Sequence, residues 1–188
     1  VKKCPPLDPR NPGCKEELQF GCVWYPDSAL KTAQAINDLK NEKLPLIIFA
    51  NWRGFSGGTT DMYHDILRQG SAIVKALVDY TQPVYIYIPP YCQLRGGAMV
   101  VLSKSINKPF ISMYADPTAR VNILEPSGVL PIKYKTKDLE STMKRHGVEK
   151  TEKNTELFQR VALDFIEKHD IPTKNNVIAD LVPWATSR

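Results

Sequence analysis

The sequence has no long apolar run, no signal-peptide pattern and no metal-ligand spacing among its cysteines. Its longest uninterrupted apolar stretch, around Leu46 to Ala50, falls far short of the roughly 20 residues that a bilayer-spanning helix needs. No membrane partner is expected. No segment joins a basic start, an apolar core and a small-residue cleavage site, so nothing reads as a secretory signal. The four cysteines, Cys4, Cys14, Cys22 and Cys92, match neither zinc nor thioredoxin-like spacing. In a chain of 188 residues without a secretory signal they read as reduced, intracellular thiols. The expected compartment is the cytoplasm, with a plastid-type organelle as the alternative. The chain opens at Val1 instead of methionine, and we expect a piece of a longer polypeptide.

Charge of one sign is also scarce. The net charge is +5, but Lys133, Lys135, Lys137, Lys144, Arg145, Lys150 and Lys153 alternate with Asp138, Glu140, Glu149, Glu152 and Glu156. Such mixing describes a solvated helical surface. No basic run is interleaved with aromatics, which argues against a nucleic-acid groove.

What is present suits one α/β domain. At 43% hydrophobic content, a chain this long buries roughly 70% of its unfolded surface without covalent staples. Residues 1–22, with Pro5-Pro6, Asp8-Pro9 and Asn11-Pro12-Gly13, form an expected irregular lead-in to a domain over 23–188. Asp27 or Ser28 is placed to cap a helix burying Ala29, Leu30, Ala33, Ile36 and Leu39. The apolar runs 44–50, 83–89 and 110–114 read as buried strands. A second helix is expected from Asp61 to Tyr80 through Met62, Ile66, Ile73 and Leu77, and a short one over 98–103. Val121 to Pro126 leads into another turn at Ser127-Gly128. Further helices are expected over 137–146, 156–169 and 176–182. Strands alternating with helices imply a largely parallel sheet.

Of ten glycines, five fall in Gly54-Phe55-Ser56-Gly57-Gly58 and Gly96-Gly97, each cluster between a strand and a helix. Turns at the carboxyl ends of parallel strands are where α/β folds place ligands. Glycine admits close approach to the backbone, and the helix start beyond aims unpaired N–H groups at the same spot. Arg53 and Arg95 stand beside the clusters, suited to forked recognition of a carboxylate. For either cluster alone, tight packing and a surface ion pair are the commoner explanation; their repetition favours a site. Gly54 to Gly58 also satisfies G-x-S-x-G, with Ser56 as nucleophile and Asp116 or Asp164 and His169 downstream as a serine-hydrolase alternative. Against it, Asn51-Trp52-Arg53 separates the motif from its strand, and His169 lies beside Glu167 and Asp170 on an expected solvated helix.

Longer strings carry more information. Phe49-Ala-Asn-Trp-Arg-Gly-Phe-Ser-Gly-Gly58 resembles the signature segment of the carboxyltransferase domain of eukaryotic-type, multidomain acetyl-CoA carboxylases. The resemblance extends through Val23-Trp-Tyr-Pro-Asp-Ser28, Tyr87-Ile-Pro-Pro90, Leu94-Arg-Gly-Gly97, Met113-Tyr-Ala-Asp116, Leu124-Glu-Pro126 and Trp184-Ala-Thr-Ser-Arg188. Gln93 and Tyr91-Cys92 depart from the family pattern, and the stretch between Met143 and Phe158 looks shorter than in typical members.

The resemblance implies a crotonase-like spiral of ββα units, here the second half of a carboxyltransferase domain. It implies transfer of a carboxyl group from carboxybiotin to acetyl-CoA, giving malonyl-CoA for fatty acid synthesis. The partners it implies are an N-terminal half carrying most of the coenzyme A site, a homodimer mate, and biotin carried on a separate domain of an ATP-using enzyme. These 188 residues alone are then expected to be inactive. Carried over residue by residue, Arg53 would meet the transferred carboxylate and Phe55 would line the acyl pocket. Gly57, Gly58, Gly96 and Gly97 would present amides around the biotin ring. Ile66, Gly70 and Ile73 would wall the tunnel, and Glu125 (through its backbone) and Gly128 would border the biotin entrance. Backbone oxyanion donors suit a chain with no evident cysteine–histidine pair, metal cluster or carboxylate dyad. A non-catalytic crotonase-like assembly module is the other reading, because folds outlive functions.

Overall fold

The computed structural model describes residues 2–3, 17–123, 136–145, 147, 158, 161–162 and 178–186. Strands β1 (Lys2–Lys3) and β2 (Glu17–Leu18) pair antiparallel, a short ladder where the sequence predicts an irregular lead-in. Then follow β3 (Val23–Trp24), α1 (Pro26–Asn41), β4 (Leu46–Phe49), β5 (Gly54–Phe55), α2 (Thr59–Tyr63) and α3 (Ile66–Val78). The next group is β6 (Val84–Ile88), β7 (Gln93–Arg95), α4 (Gly96–Val101), β8 (Ile111–Ala115) and β9 (Arg120–Asn122). The described part closes with α5 (Thr136–Arg145) and β10 (Asp180–Leu181).

Two layers emerge. The main sheet is parallel, in the order β10-β8-β6-β4. Each of β4, β6 and β8 is followed by a strand of two or three residues, β5, β7 or β9, in a second layer. There β3 pairs with β5 and β7 with β9, all parallel. Trp52 joins the pairs: its N–H donates to the Gln93 carbonyl at 2.8 Å, and its carbonyl accepts from the Arg95 N–H at 2.9 Å. A strand, a short second strand and a helix form the repeating unit.

The β-branched runs predicted as buried strands become β4, β6 and β8, but the burial is one-sided: Ile47 and Phe49 of β4 and Tyr85 of β6 are exposed, because the described helices cover the opposite face. Val84, Ile86 and Ile88 of β6 and Ile111 and Met113 of β8 meet Ile66, Ile73 and Leu77 of α3 in one core. Each such side chain contributes about 1.5–3 kcal/mol by leaving water. Helix α1 packs along α3 through Ala29, Ala33 and Ile36. The cap lies earlier than predicted, two residues before Asp27 and three before Ser28. Tyr25 holds the N-cap position, and the Ser28 hydroxyl accepts from the Tyr25 N–H (2.9 Å) and donates to its carbonyl (3.0 Å). Leu30 is 49% exposed, off the buried face where it was expected.

Two further expectations need correction. The helix predicted from Asp61 to Tyr80 is broken: Asp65 adopts φ 63, and α2 and α3 meet there at an angle set by a left-handed residue. The segment predicted as helix over 176–182 supplies β10 instead. The open edge of β8 offers backbone partners, and the N–H groups of Ala179 and Val182 donate to Met113 (2.7 Å) and Ala115 (2.9 Å) carbonyls. Backbone pairing at that edge overrides helical patterning. Of the helix predicted over 156–169, Phe158, Val161 and Ala162 are described and helical, with Phe158 and Ala162 packed on Met143. Among the described residues no helix is long and apolar enough to cross a membrane.

Candidate active site

The two glycine turns touch. Gly54 has φ +133, and a Cβ on it would lie 3.6 Å from the Gly97 nitrogen. Gly96 has φ +55, and a Cβ there would sit 2.9 Å from the Arg53 carbonyl oxygen. Only glycine lets these backbones approach so closely without strain. Adjacent parallel strands β4 and β6 deliver the turns to the same end of the sheet.

Phe55 lies between the helices that follow them. A Cβ at Gly70 of α3 would stand 3.1 Å from one edge of its ring, and a Cβ at Gly97 of α4 would stand 3.0 Å from the other. Trp24 packs on Phe55 at 4.9 Å between centroids and stacks on Trp52 at 4.6 Å. Gly70 therefore serves the seat of Phe55. Ile66 and Ile73 are core residues, 2% and 0% exposed.

The arginines are not equivalent. Arg53 is exposed beside its turn, its N–H held by the Cys22 carbonyl at 2.7 Å. Arg95 is 3% exposed, and its Nε donates to Gln93 Oε1 at 3.0 Å. This corrects the reading of Arg95 as a carboxylate receptor, because its guanidinium is enclosed within the fold. The glycine amides divide in the same way. The Gly96 N–H donates to the Ile123 carbonyl at 2.9 Å, extending the β7–β9 ladder, so it is not an available oxyanion donor. Gly97 is exposed in the first turn of α4, where an N–H has no acceptor within the helix. Gly57 and Gly58 are exposed, and nothing lies within 4 Å of a Cβ built on Gly57. Glu125 and Gly128 lie outside the described residues, as do Asp164 and His169.

Residues that motif reading missed complete the turn. The Ser56 hydroxyl donates to Asp61 Oδ2, and its N–H donates to the Trp24 carbonyl at 2.8 Å. That bond, and the absence of the strained backbone a nucleophile elbow requires, disfavour the serine-hydrolase alternative. Asp116 is equally committed. Its Oδ1 accepts from the Thr118 hydroxyl (2.6 Å) and N–H (2.8 Å), and its Oδ2 from the Trp184 N–H (2.9 Å). Burial raises the Asp116 pKa, but these hydrogen bonds outweigh it and hold the carboxyl below the ordinary range. Burial, and then nearby Cys22, push the Cys92 thiol up, away from a reactive thiolate.

An acetyl-CoA carboxylase of Dictyostelium discoideum is 42% identical over 224 residues, covering 100% of this chain and 10% of that protein. Those of Schizosaccharomyces pombe and Saccharomyces cerevisiae are 51% and 53% identical over 148 residues, covering 77% of this chain and 6% and 7% of theirs. The first alignment is longer than the 188-residue chain, so that relative holds stretches this chain lacks. The chain spans a tenth or less of the length of these curated relatives. Among solved structures, the transcarboxylase 12S with methylmalonyl-coenzyme A and methylmalonic acid bound matches at TM-score 0.66 and 15% identity, over 88% of this chain and 29% of that one. The β subunit of P. aeruginosa geranyl-CoA carboxylase matches at 0.60 and 19%, over 85% and 29%. At those identities the likeness concerns fold, which is crotonase-like. The family of carboxyl transferase domains matches residues 12–181, and the chain belongs to that family.

Proposed function

We propose that this chain is the biotin-facing part of the carboxyltransferase of an acetyl-CoA carboxylase, moving a carboxyl group from carboxybiotin to acetyl-CoA to form malonyl-CoA. The observation that carries the reading is the exposed rim where two touching glycine turns meet: Arg53, Gly57, Gly58 and Gly97. The similarity to acetyl-CoA carboxylases supports the choice of reaction.

The residues present fit a flat ring brought close to backbone. Gly96 and Gly97 stand where a Cβ would press on main chain or on Phe55, and Gly57 opens to free space. When bound, carboxybiotin supplies the carboxyl group and, once that has left, a ring nitrogen basic enough to take the acetyl methyl proton. Arg53 steadies the carboxylate with its forked donors. The amides of Gly57 and Gly97 offset negative charge on oxygen as it develops, at roughly 10²- to 10³-fold in turnover for a good donor, while the Gly58 N–H is turned to Ser56 Oγ at 3.4 Å. Phe55, fixed between Gly70 and Gly97, forms an apolar floor for the acyl group. The remaining assignments follow the same reading: Ile66 and Ile73 behind the tunnel wall, and Glu125 and Gly128 at the biotin entrance. The N-terminal half with its coenzyme A site, the homodimer mate, biotin on its own domain, a domain over 23–188 and a cytoplasmic location complete the proposal.

The test is Arg53→Ala in the intact protein, assayed by malonyl-CoA decarboxylation with free biotin. A fall in kcat/KM of about 100-fold with an unchanged unfolding midpoint is expected, in line with losing a charge-assisted, bidentate contact. Wild-type turnover by that variant removes Arg53 from the reaction.

A further inference from the structure

We propose that Asp61 is a positioning residue that works through Ser56 to hold the Gly57–Gly58 turn, and with it the Gly57 amide, in place for carboxyl transfer; the proposal rests on the function inferred above. Two consecutive exposed glycines are the least ordered backbone a chain can offer. A donor that wanders must be ordered at each turnover, and preorganised donors are the ones that lower a barrier.

The turn is closed from three sides. At its start, the Ser56 N–H is fixed on the Trp24 carbonyl at 2.8 Å. At its end, the Gly58 carbonyl accepts from the Met62 N–H at 3.0 Å, joining it to α2. Across the middle, the Ser56 hydroxyl donates to Asp61 Oδ2 and accepts, at 3.4 Å, from the Gly58 N–H. A Cβ on Gly58 would lie 3.3 Å from Asp61 Oδ2 and 3.7 Å from Ser56 Oγ. The side chains therefore lie against the glycine backbone they bracket. Asp61 sits in the first turn of α2, where a carboxylate is favoured by the helix dipole. Beyond α2 the chain breaks at Asp65, so this short helix is a separate piece that the Ser56–Asp61 contact ties back to β5.

The experiment uses the intact protein and compares Ser56→Ala, Ser56→Thr, Asp61→Asn and the Ser56→Ala/Asp61→Asn double variant. Malonyl-CoA decarboxylation with free biotin is read beside hydrogen exchange in the peptide spanning Ser56 to Met62. Ser56→Ala should lower kcat about tenfold, the scale of one charge-assisted hydrogen bond. KM for malonyl-CoA should stay within about twofold and exchange at the glycines should quicken, because ground-state binding of the acyl substrate does not use this loop. Ser56→Thr restores the hydroxyl and should recover most of the rate. The double variant should be no worse than Ser56→Ala alone, as expected for two residues acting as one unit. Additive losses, wild-type kcat in Ser56→Ala, or no recovery in Ser56→Thr would overturn the proposal. A wild-type protein that exchanges slowly here yet fails to turn over removes the transfer reading itself, and the positioning role with it.

Discussion

The turn after β4 and the turn after β6 have the same plan, arginine then glycine then helix, yet the fold treats them in opposite ways. The second is built into the structure. Arg95 is enclosed, the Gly96 N–H extends a ladder to Ile123, and Ala98, Met99 and Val101 of α4 are buried. The first projects outward. Arg53, Gly57 and Gly58 are exposed, and α2 buries none of its residues. A third turn, Asp116 to Ala119 after β8, is fastened by a carboxylate that also grips Trp184. One turn is therefore enclosed and its neighbour exposed, and Gly54 lies against Gly97 where they meet.

Substitutions can break this contrast. The largest effect on stability is expected at Gly96→Ala, where a left-handed φ and a Cβ 2.9 Å from the Arg53 carbonyl coincide. About 2–3 kcal/mol should be lost in denaturant unfolding. Asp116→Asn should cost about 1–2 kcal/mol at neutral pH, because an amide nitrogen then faces an N–H donor. Its pH dependence follows from the lowered carboxyl pKa in the fold. That contribution is present above the unfolded value near 4 and is lost as pH falls through the lower folded value, so the gap between wild type and Asp116→Asn should narrow in acid. The smallest effect is expected at Gly57→Ala, within about 0.5 kcal/mol of wild type, since its Cβ meets open space. A Gly57→Ala loss as large as that of Gly96→Ala would show the first turn to be packed like the second.

Much of this could be read beforehand. The main-sheet strands announced themselves as short runs of β-branched and aromatic residues, as in Val84 to Ile88, even though Tyr85 of that run is exposed. The glycine clusters were legible because few backbones need consecutive glycines between strand and helix. The strands β5, β7 and β9 were not, since two or three residues hold no periodicity. Nor was β10, where the free edge of β8 outweighed a helical pattern. The break at Asp65 escaped because Met62, Ile66 and Ile73 keep helical spacing across it.

The amino-acid order by itself determined which segments would be buried, where the chain would turn, and the kinship with carboxyl transferases, since apolarity, glycine and long motif strings are properties of the order alone. Only the tertiary structure decided that Arg53 faces solvent while Arg95 is enclosed, that Gly96 spends its amide on Ile123, and that Ser56 finds Asp61. Those outcomes depend on which neighbour a side chain or amide meets across a sheet, and identical residue types meet different neighbours on adjacent strands.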